Sequence, residues 1–123
     1  MHSTGTMARI LLDSDVLIDH LRGHRRYVRG SDEPHISTIT RAELFAGRES
    51  DERRIRRLID AMTELAVDRL VAERAGRIRR TSRLPMADAV IAATAVEHRL
   101  VLVTRNTRDF AMVGGLKVRA PRD

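Results

Sequence analysis

Pro85-Met86-Ala87-Asp88-Ala89-Val90-Ile91-Ala92-Ala93-Thr94-Ala95-Val96-Glu97-His98-Arg99-Leu100-Val101-Leu102-Val103 holds two elements in one breath of sequence. From Ala87 to Val96 the chain is apolar nearly all round, broken only by Asp88 and Thr94. A helix without a polar face lies buried, here across a sheet. Pro85 suits its first turn, and the helix reaches about Glu97. Leu100–Val103 is then a continuous apolar run, the pattern of a central parallel strand covered on both faces. A buried helix feeding a doubly covered strand is α/β layering.

Working outward, residues 9–12 read as a second buried strand, followed by a helix from Ser14 to about Arg22 that Gly23 stops. Residues 24–34 are polar, with Gly30, Asp32 and Pro34, and read as a short helix or loop. His35–Ser37 is a short strand. Thr40-Arg41-Ala42-Glu43 has capping-box spacing and starts a helix that Gly47 ends. From about Ser50 to Glu64, the recurrence of Ile55, Leu58, Ile59 and Met62 predicts an amphipathic helix. Asp68 caps another, running to about Arg83 with Leu70, Val71, Ala75 and Ile78 inward. Lys117–Arg119 adds an edge strand after Gly114-Gly115. With no repeat and no linker, residues 7–123 form a single three-layer α/β domain. Met1–Thr6 is an N-terminal extension or cloning remnant, with Met7 an alternative start.

Composition narrows the function. The net charge is +6, and Lys117 is the only lysine among 23 basic residues. Arginine's planar fork matches phosphate oxygens, so a polyanionic partner fits. Nucleic acid fits better than membrane, because no basic segment carries an apolar insertion face and no stretch is long enough to span. Aromatics are only 2%, which disfavours a base-stacking platform and leaves the phosphate backbone as the main handle. The absence of cysteine removes disulfides and thiolate metal sites, and a cytoplasmic address fits. A plain solvated basic surface remains the bland alternative.

Four acids sit where an apolar run gives way to a turn or helix start: Asp13 after Ile10–Leu12, Glu43 after Ile36–Thr40, Asp88 before Ala89–Val96, and Asp109 just past Leu100–Val103. In an open α/β sheet the strand ends gather along one rim, where ligands bind. Four carboxylates converging there repel one another unless a hard cation joins them, the outline of a magnesium site. Each acid also has a structural explanation as a helix cap, strongest for Glu43 as the third residue of a capping box. Asn106 is a further candidate in the segment Thr104–Phe110, whose plain reading is an Asx-type turn. His20 and His24 have the spacing of a zinc pair, but Gly23 intervenes and no third ligand lies near.

These segments together resemble PIN-domain nucleases. Ile10-Leu11-Leu12-Asp13-Ser14-Asp15-Val16-Leu17-Ile18 looks like that family's opening, and Ser37–Leu44 with Gly47 like its second acidic motif. Met86–Ala95 resembles the third, and Val103-Thr104-Arg105-Asn106-Thr107-Arg108-Asp109-Phe110 the last. Each motif alone is weak; four in order, across almost the whole chain, are specific. Length and motif variants look most like the VapC toxins of bacterial toxin–antitoxin pairs. The resemblance implies an α/β/α sandwich with a mostly parallel central sheet. It implies an acidic Mg²⁺ or Mn²⁺ pocket and endonucleolytic cleavage of RNA, commonly tRNA or rRNA. It also implies a homodimer inhibited by a cognate VapB-like antitoxin. Asp13, Glu43 and Asp88 map onto the first three family acids, and the fourth is Asn106, Asp109 or both. By the same resemblance Asp13 and Asp88 are direct ligands, Glu43 and Asp109 act through water, Asp15 supports from behind, and Thr104 and Arg105 stand near the phosphate.

Two rival readings use the same residues. Asp13-Ser14-Asp15 after a strand resembles the start of aspartyl-phosphate phosphatases, but that chemistry needs a downstream lysine and a later acidic pair, and Lys117 lies beyond the last candidate acid. Alternatively the acids merely cap helices in a non-catalytic RNA- or protein-binding module.

Overall fold

Period-two alternation splits the first strand, β1 (Arg9–Leu12), between two cores, with Ile10 and Leu12 packing on one side and Leu11 on the other. Both neighbours run parallel to it: β2 (Glu33–Ser37) on one side and β4 (Val101–Val103) on the other. β3 (Thr63–Leu65) and β5 (Val118–Arg119) complete an all-parallel sheet of order β3-β2-β1-β4-β5. The computed structural model describes residues 7–122, so the expected extension Met1–Thr6 lies outside the described residues.

Helices cover both faces. On one, α1 (Ser14–Leu21) and α3 (Glu52–Ile59) bury Val16, Leu17, Ile55 and Ile59 against Ile10, Leu12, Ile36 and Val103. On the other, α4 (Arg69–Thr81) and α5 (Met86–His98) pack on Leu11 and Leu102. α2 (Thr38–Phe45) sends Leu44 to the first core and Ile39 toward the second, while the short α6 (Thr107–Phe110) plugs Phe110 into the second. The α/β/α sandwich read from the sequence is the architecture found, with a sheet that is parallel throughout.

α5 is buried without interruption from Ala89 to Ala95. Four of those seven residues are alanine, which lets the helix approach both the sheet and α4 closely. Burying Ile91 alone contributes roughly 1.5–3 kcal/mol, and enlarging Ala92 would overpack the same layer at a cost of about 1–3 kcal/mol. The helix ends on Arg99, whose φ of 56° is left-handed, with Leu100 N–H donating back to Ala95 O at 2.9 Å.

Elsewhere the structure corrects the local reading. α2 begins at Thr38, capped by Ser37 Oγ accepting from Ile39 N–H, so Thr40 is a buried residue inside the helix and Thr40–Glu43 is no capping box. The predicted helix over Ser50–Glu64 is a short 3₁₀ turn (Glu49–Asp51), then α3, then β3. β3 forms because β2 would otherwise leave one edge of backbone donors and acceptors unpaired; His35–Ser37 pair with Thr63–Leu65. β2 also starts earlier than predicted, at Glu33. Leu70, expected inward, is 61% exposed. α4 stops at Thr81, and Pro85 stands just before α5 rather than inside its first turn.

The chain's far end is tied back to the segment before β2. Asp32 is buried, and its carboxylate is met by Arg119 Nη2 at 2.6 Å and Arg122 Nη2 at 3.5 Å. No helix among the described residues is long and apolar enough to cross a membrane.

Candidate active site

Asp13 stands at the carboxyl end of β1, where parallel pairing sets it beside the end of β4. Its N–H donates to Val103 O at 2.9 Å, extending the ladder by one residue. Its side chain caps α1 through Ser14 N–H (2.8 Å) and accepts a 2.7 Å bond from the hydroxyl of fully buried Thr104. Capping and site geometry therefore coexist in one carboxylate. Burial pushes Asp13 up to about 7, and the nearby charges of Asp15 and Asp88 add to the shift against the opposing Thr104 bond.

Asp15 lies on the first turn of α1, accepting from Arg105 N–H at 3.2 Å with Thr104 Oγ1 at 3.5 Å. Its other oxygen, Oδ1, is buried with no hydrogen-bond partner among the described residues. Desolvation raises its pKa, with the backbone bond from Arg105 opposing. Asp88, in the first turn of α5, is half-buried and raised first by desolvation, then by the charges of Glu43, Asp15 and Asp109. No residue hydrogen-bonds its carboxylate among the described residues. Glu43 projects from the last turn of α2 and accepts a 2.5 Å bond from Ser14 Oγ; with its one proton so used, Ser14 Oγ is left to accept from the Thr40 hydroxyl 3.2 Å away.

Five carboxylates from α1, α2, α5, α6 and the β1 end thus share one field at the carboxyl rim of the sheet. Asp109 is the outermost, exposed on α6 yet close enough to raise Asp88. Asn106 is also exposed and makes no side-chain cap for α6; its N–H donates to Thr104 Oγ1 at 3.0 Å. Arg105 Nε approaches Asp19 Oδ2 at 2.7 Å, an ion pair without hydrogen-bond alignment. Thr104 spends its hydroxyl inside the protein, on Asp13. His20 Nδ1 accepts from Tyr27 N–H, and His24 lies 3.9 Å from Asp19, so neither histidine joins this rim.

The sequence reading missed Ser14, Thr40 and Asp19. They orient Glu43 and Arg105 from behind, and polar residues on otherwise ordinary amphipathic helices give no local signal of such contacts. The donor set suits a hard divalent cation, since every candidate ligand is oxygen, and the orphaned Asp15 oxygen together with three raised carboxyls is the electrostatic strain a cation relieves. The spacing is looser than a preformed cage: among the described residues no three acids or histidines stand together as a ready cation-binding group.

An all-parallel α/β sandwich with its ionisable residues gathered at the strand ends defines a class of protein whose chemistry sits on that rim. Likeness to known proteins narrows the class. Residues 10–116 match the PIN domain family. The chain is 40% identical over 120 residues to Ribonuclease VapC10 of Mycobacterium tuberculosis, covering 88% of this chain and 90% of that one. A toxin-antitoxin complex from Klebsiella pneumoniae superposes with a TM-score of 0.77 at 35% identity, covering 93% of this chain and 98% of its counterpart. DNA-bound VapBC from Salmonella typhimurium gives 0.80 at 25% identity, with the same coverage of 93% and 98%. The chain belongs to the PIN-domain family.

Proposed function

We propose that this protein is a metal-dependent endoribonuclease and the toxin half of a type II toxin–antitoxin pair, working as one nuclease domain over residues 7–123. The carrying observation is the shared electrostatic field of Asp13, Asp15, Glu43, Asp88 and Asp109, in which Asp13 is pushed up to about 7. Near-complete coverage of the relatives, together with their names, supports the ribonuclease and toxin readings. PIN domains generally depend on a divalent metal, and the all-oxygen donor set favours Mg²⁺, with Mn²⁺ able to replace it.

In this reading Asp13 and Asp88 would hold the cation directly, with Glu43 and Asp109 completing its surroundings and Asn106 as the alternative or additional fourth donor. When bound there, such a cation would supply charge neutralisation at the phosphoryl oxygens and a more acidic attacking water. The chain's own residues supply the rest. Thr104 fixes the rotamer of Asp13, Ser14 fixes Glu43, and Asp19 holds Arg105 where its guanidinium can meet an RNA phosphate. Asp15 keeps the rim electronegative from behind. The substrate is tRNA or rRNA, whose cleavage stops translation in the cytoplasm. A VapB-like antitoxin restrains the enzyme, which acts as a homodimer.

Purified protein incubated with total RNA and Mg²⁺ should produce new, discrete ends that EDTA prevents. Co-expression with the neighbouring open reading frame should yield a complex in which those ends disappear. Undiminished cleavage in excess EDTA would overturn the metal assignment, and intact RNA under every divalent cation would overturn the nuclease reading.

A further inference from the structure

Two clefts adjoin the acidic rim, each lined by one of its acids. One, of about 280 Å³, contains Glu43 and the start of α3. Of its two arginines, Arg48 is already paired with Asp51, and Arg22 makes no ion pair among the described residues. The other, of about 520 Å³, lies between the α4–α5 turn and α6, with Asp109 at its inner end. Its arginines, Arg83 and Arg108, are exposed and make no ion pair or side-chain hydrogen bond among the described residues. Its floor and lip are apolar: Leu84, Pro85 and Met112, the last 83% exposed. A smaller cleft of about 180 Å³ continues from it along α4, sharing Thr81, Ser82 and Met112 and adding Arg77.

We infer that the cleft between the α4–α5 turn and α6 is the substrate-strand groove, seating the single-stranded RNA nucleotide next to the scissile phosphate. In this groove Arg83 and Arg108 grip the flanking phosphates and Met112 lies against the base. The inference rests on the ribonuclease reading and deepens it. Its physical grounds are the cleft's own lining and its place beside Asp109. Unpaired guanidiniums beside an apolar wall match a nucleotide's two faces, phosphate and base. The volume falls in the roughly 300–1,000 Å³ range of small-ligand sites. Asp109 lines this cleft and its charge also acts on Asp88, so a strand lying in the groove meets the outermost acid of the rim. A flexible thioether accommodates different bases, so Met112 confers weak sequence preference while the arginines confer affinity. The Glu43 cleft sets two acids, Glu43 and Asp51, against its two arginines where this groove sets only Asp109, and is the poorer seat for a phosphate.

The test uses the full chain carrying Asp13→Asn, so that RNA is bound but not cut, and a labelled pool of random single-stranded 12-mers containing 4-thiouridine. Adding Arg83→Gln and Arg108→Gln should weaken binding about tenfold or more. It should also lower the slope of log affinity against log salt by about 1.4, since each lost phosphate contact on a single strand removes ~0.7. Ultraviolet crosslinks should map to Met112 or its neighbours in the α6 region. Unchanged circular dichroism and melting temperature would show that these exposed residues were not needed for folding. Unaltered affinity and slope, or crosslinks confined to the Glu43 cleft, overturn the groove. So does loss of binding to the co-expressed antitoxin while RNA binding stays intact, which would assign the cleft to a protein. The underlying reading fails differently: RNA crosslinked in this groove but never cleaved by the Asp13 parent with Mg²⁺ or Mn²⁺ would keep the groove and remove the nuclease.

Discussion

Asp13 carries opposing demands: it caps α1, answers Thr104, and faces two other carboxylates while buried. Its folded pKa of about 7 lies above the ordinary 3.8, so the folded state holds a proton that the unfolded state gives up. Without added cation, that contribution is complete below about pH 4, and stability falls as pH climbs through the window to 7. Asp13→Asn removes the charge but keeps a cap of similar strength. The variant should therefore be inactive, melt at or above the parent's temperature at pH 7.5, show a shallower stability decline between pH 4 and 7, of which Asp15 and Asp88 keep a part, and lose its stabilisation by Mg²⁺. Differential scanning fluorimetry across pH, with and without Mg²⁺, reads all of these. For the fourth donor, Asp109→Ala should cost at least tenfold in cleavage rate because Asp109 reaches Asp88 electrostatically. Asn106→Ala should cost less, since its backbone N–H already does the work of orienting Thr104. Equal losses would make both residues donors. Asp13 and Asp88 were legible in sequence because each interrupts an apolar run. Glu43 was legible by its place after Ile36–Thr40 and by the motif resemblance, while the capping box set against it is absent from the structure and its carboxylate is oriented by Ser14 across 29 residues of chain.

At the scale of elements, the long apolar patterns of β1, α5 and β4 were readable because burial on every side leaves no ambiguity of period. Short elements were not. Thr63-Glu64-Leu65 continues the 3.6-residue spacing of α3, and only the empty edge of β2 turns it into a strand; Met62 reaches the same core either way. Likewise Ser37 and Thr40 are both plausible caps, and the choice is made by where β2 must end. The α5–β4 junction offers a direct test. Arg99 holds a left-handed φ that a side chain resists and glycine does not. Arg99→Gly should raise stability by about 0.5–1 kcal/mol, read as a higher urea midpoint with an unchanged slope. A decrease would mean that the arginine side chain makes compensating contacts in solution.

For the whole molecule, basic charge and fold have separate jobs. Arg54 and Arg56 on α3 are engaged, one with Leu21 O and Asp51, the other with Glu52 and the Phe45 ring. Converting Arg53, Arg54, Arg56 and Arg57 to Gln should therefore change the salt dependence of RNA binding by less than the Arg83/Arg108 pair does. A larger change would move the main electrostatic track to α3. Arg119 serves the fold instead. With Arg122 it neutralises Asp32, which is otherwise sealed from water. Arg119→Ala leaves buried Asp32 only the longer contact to Arg122 and should cost about 1–3 kcal/mol, and Asp32→Asn in the same chain should restore much of the loss in thermal melts. Time enters through the same long-range wiring. Thr104 meets Asp13 across 91 positions, so the ribosome has finished Asp13 long before it makes the residue that orients it. At roughly 5–20 residues per second, several seconds of elongation separate the first acid from its partner, and throughout them the nascent polypeptide lacks the hydroxyl that orients Asp13.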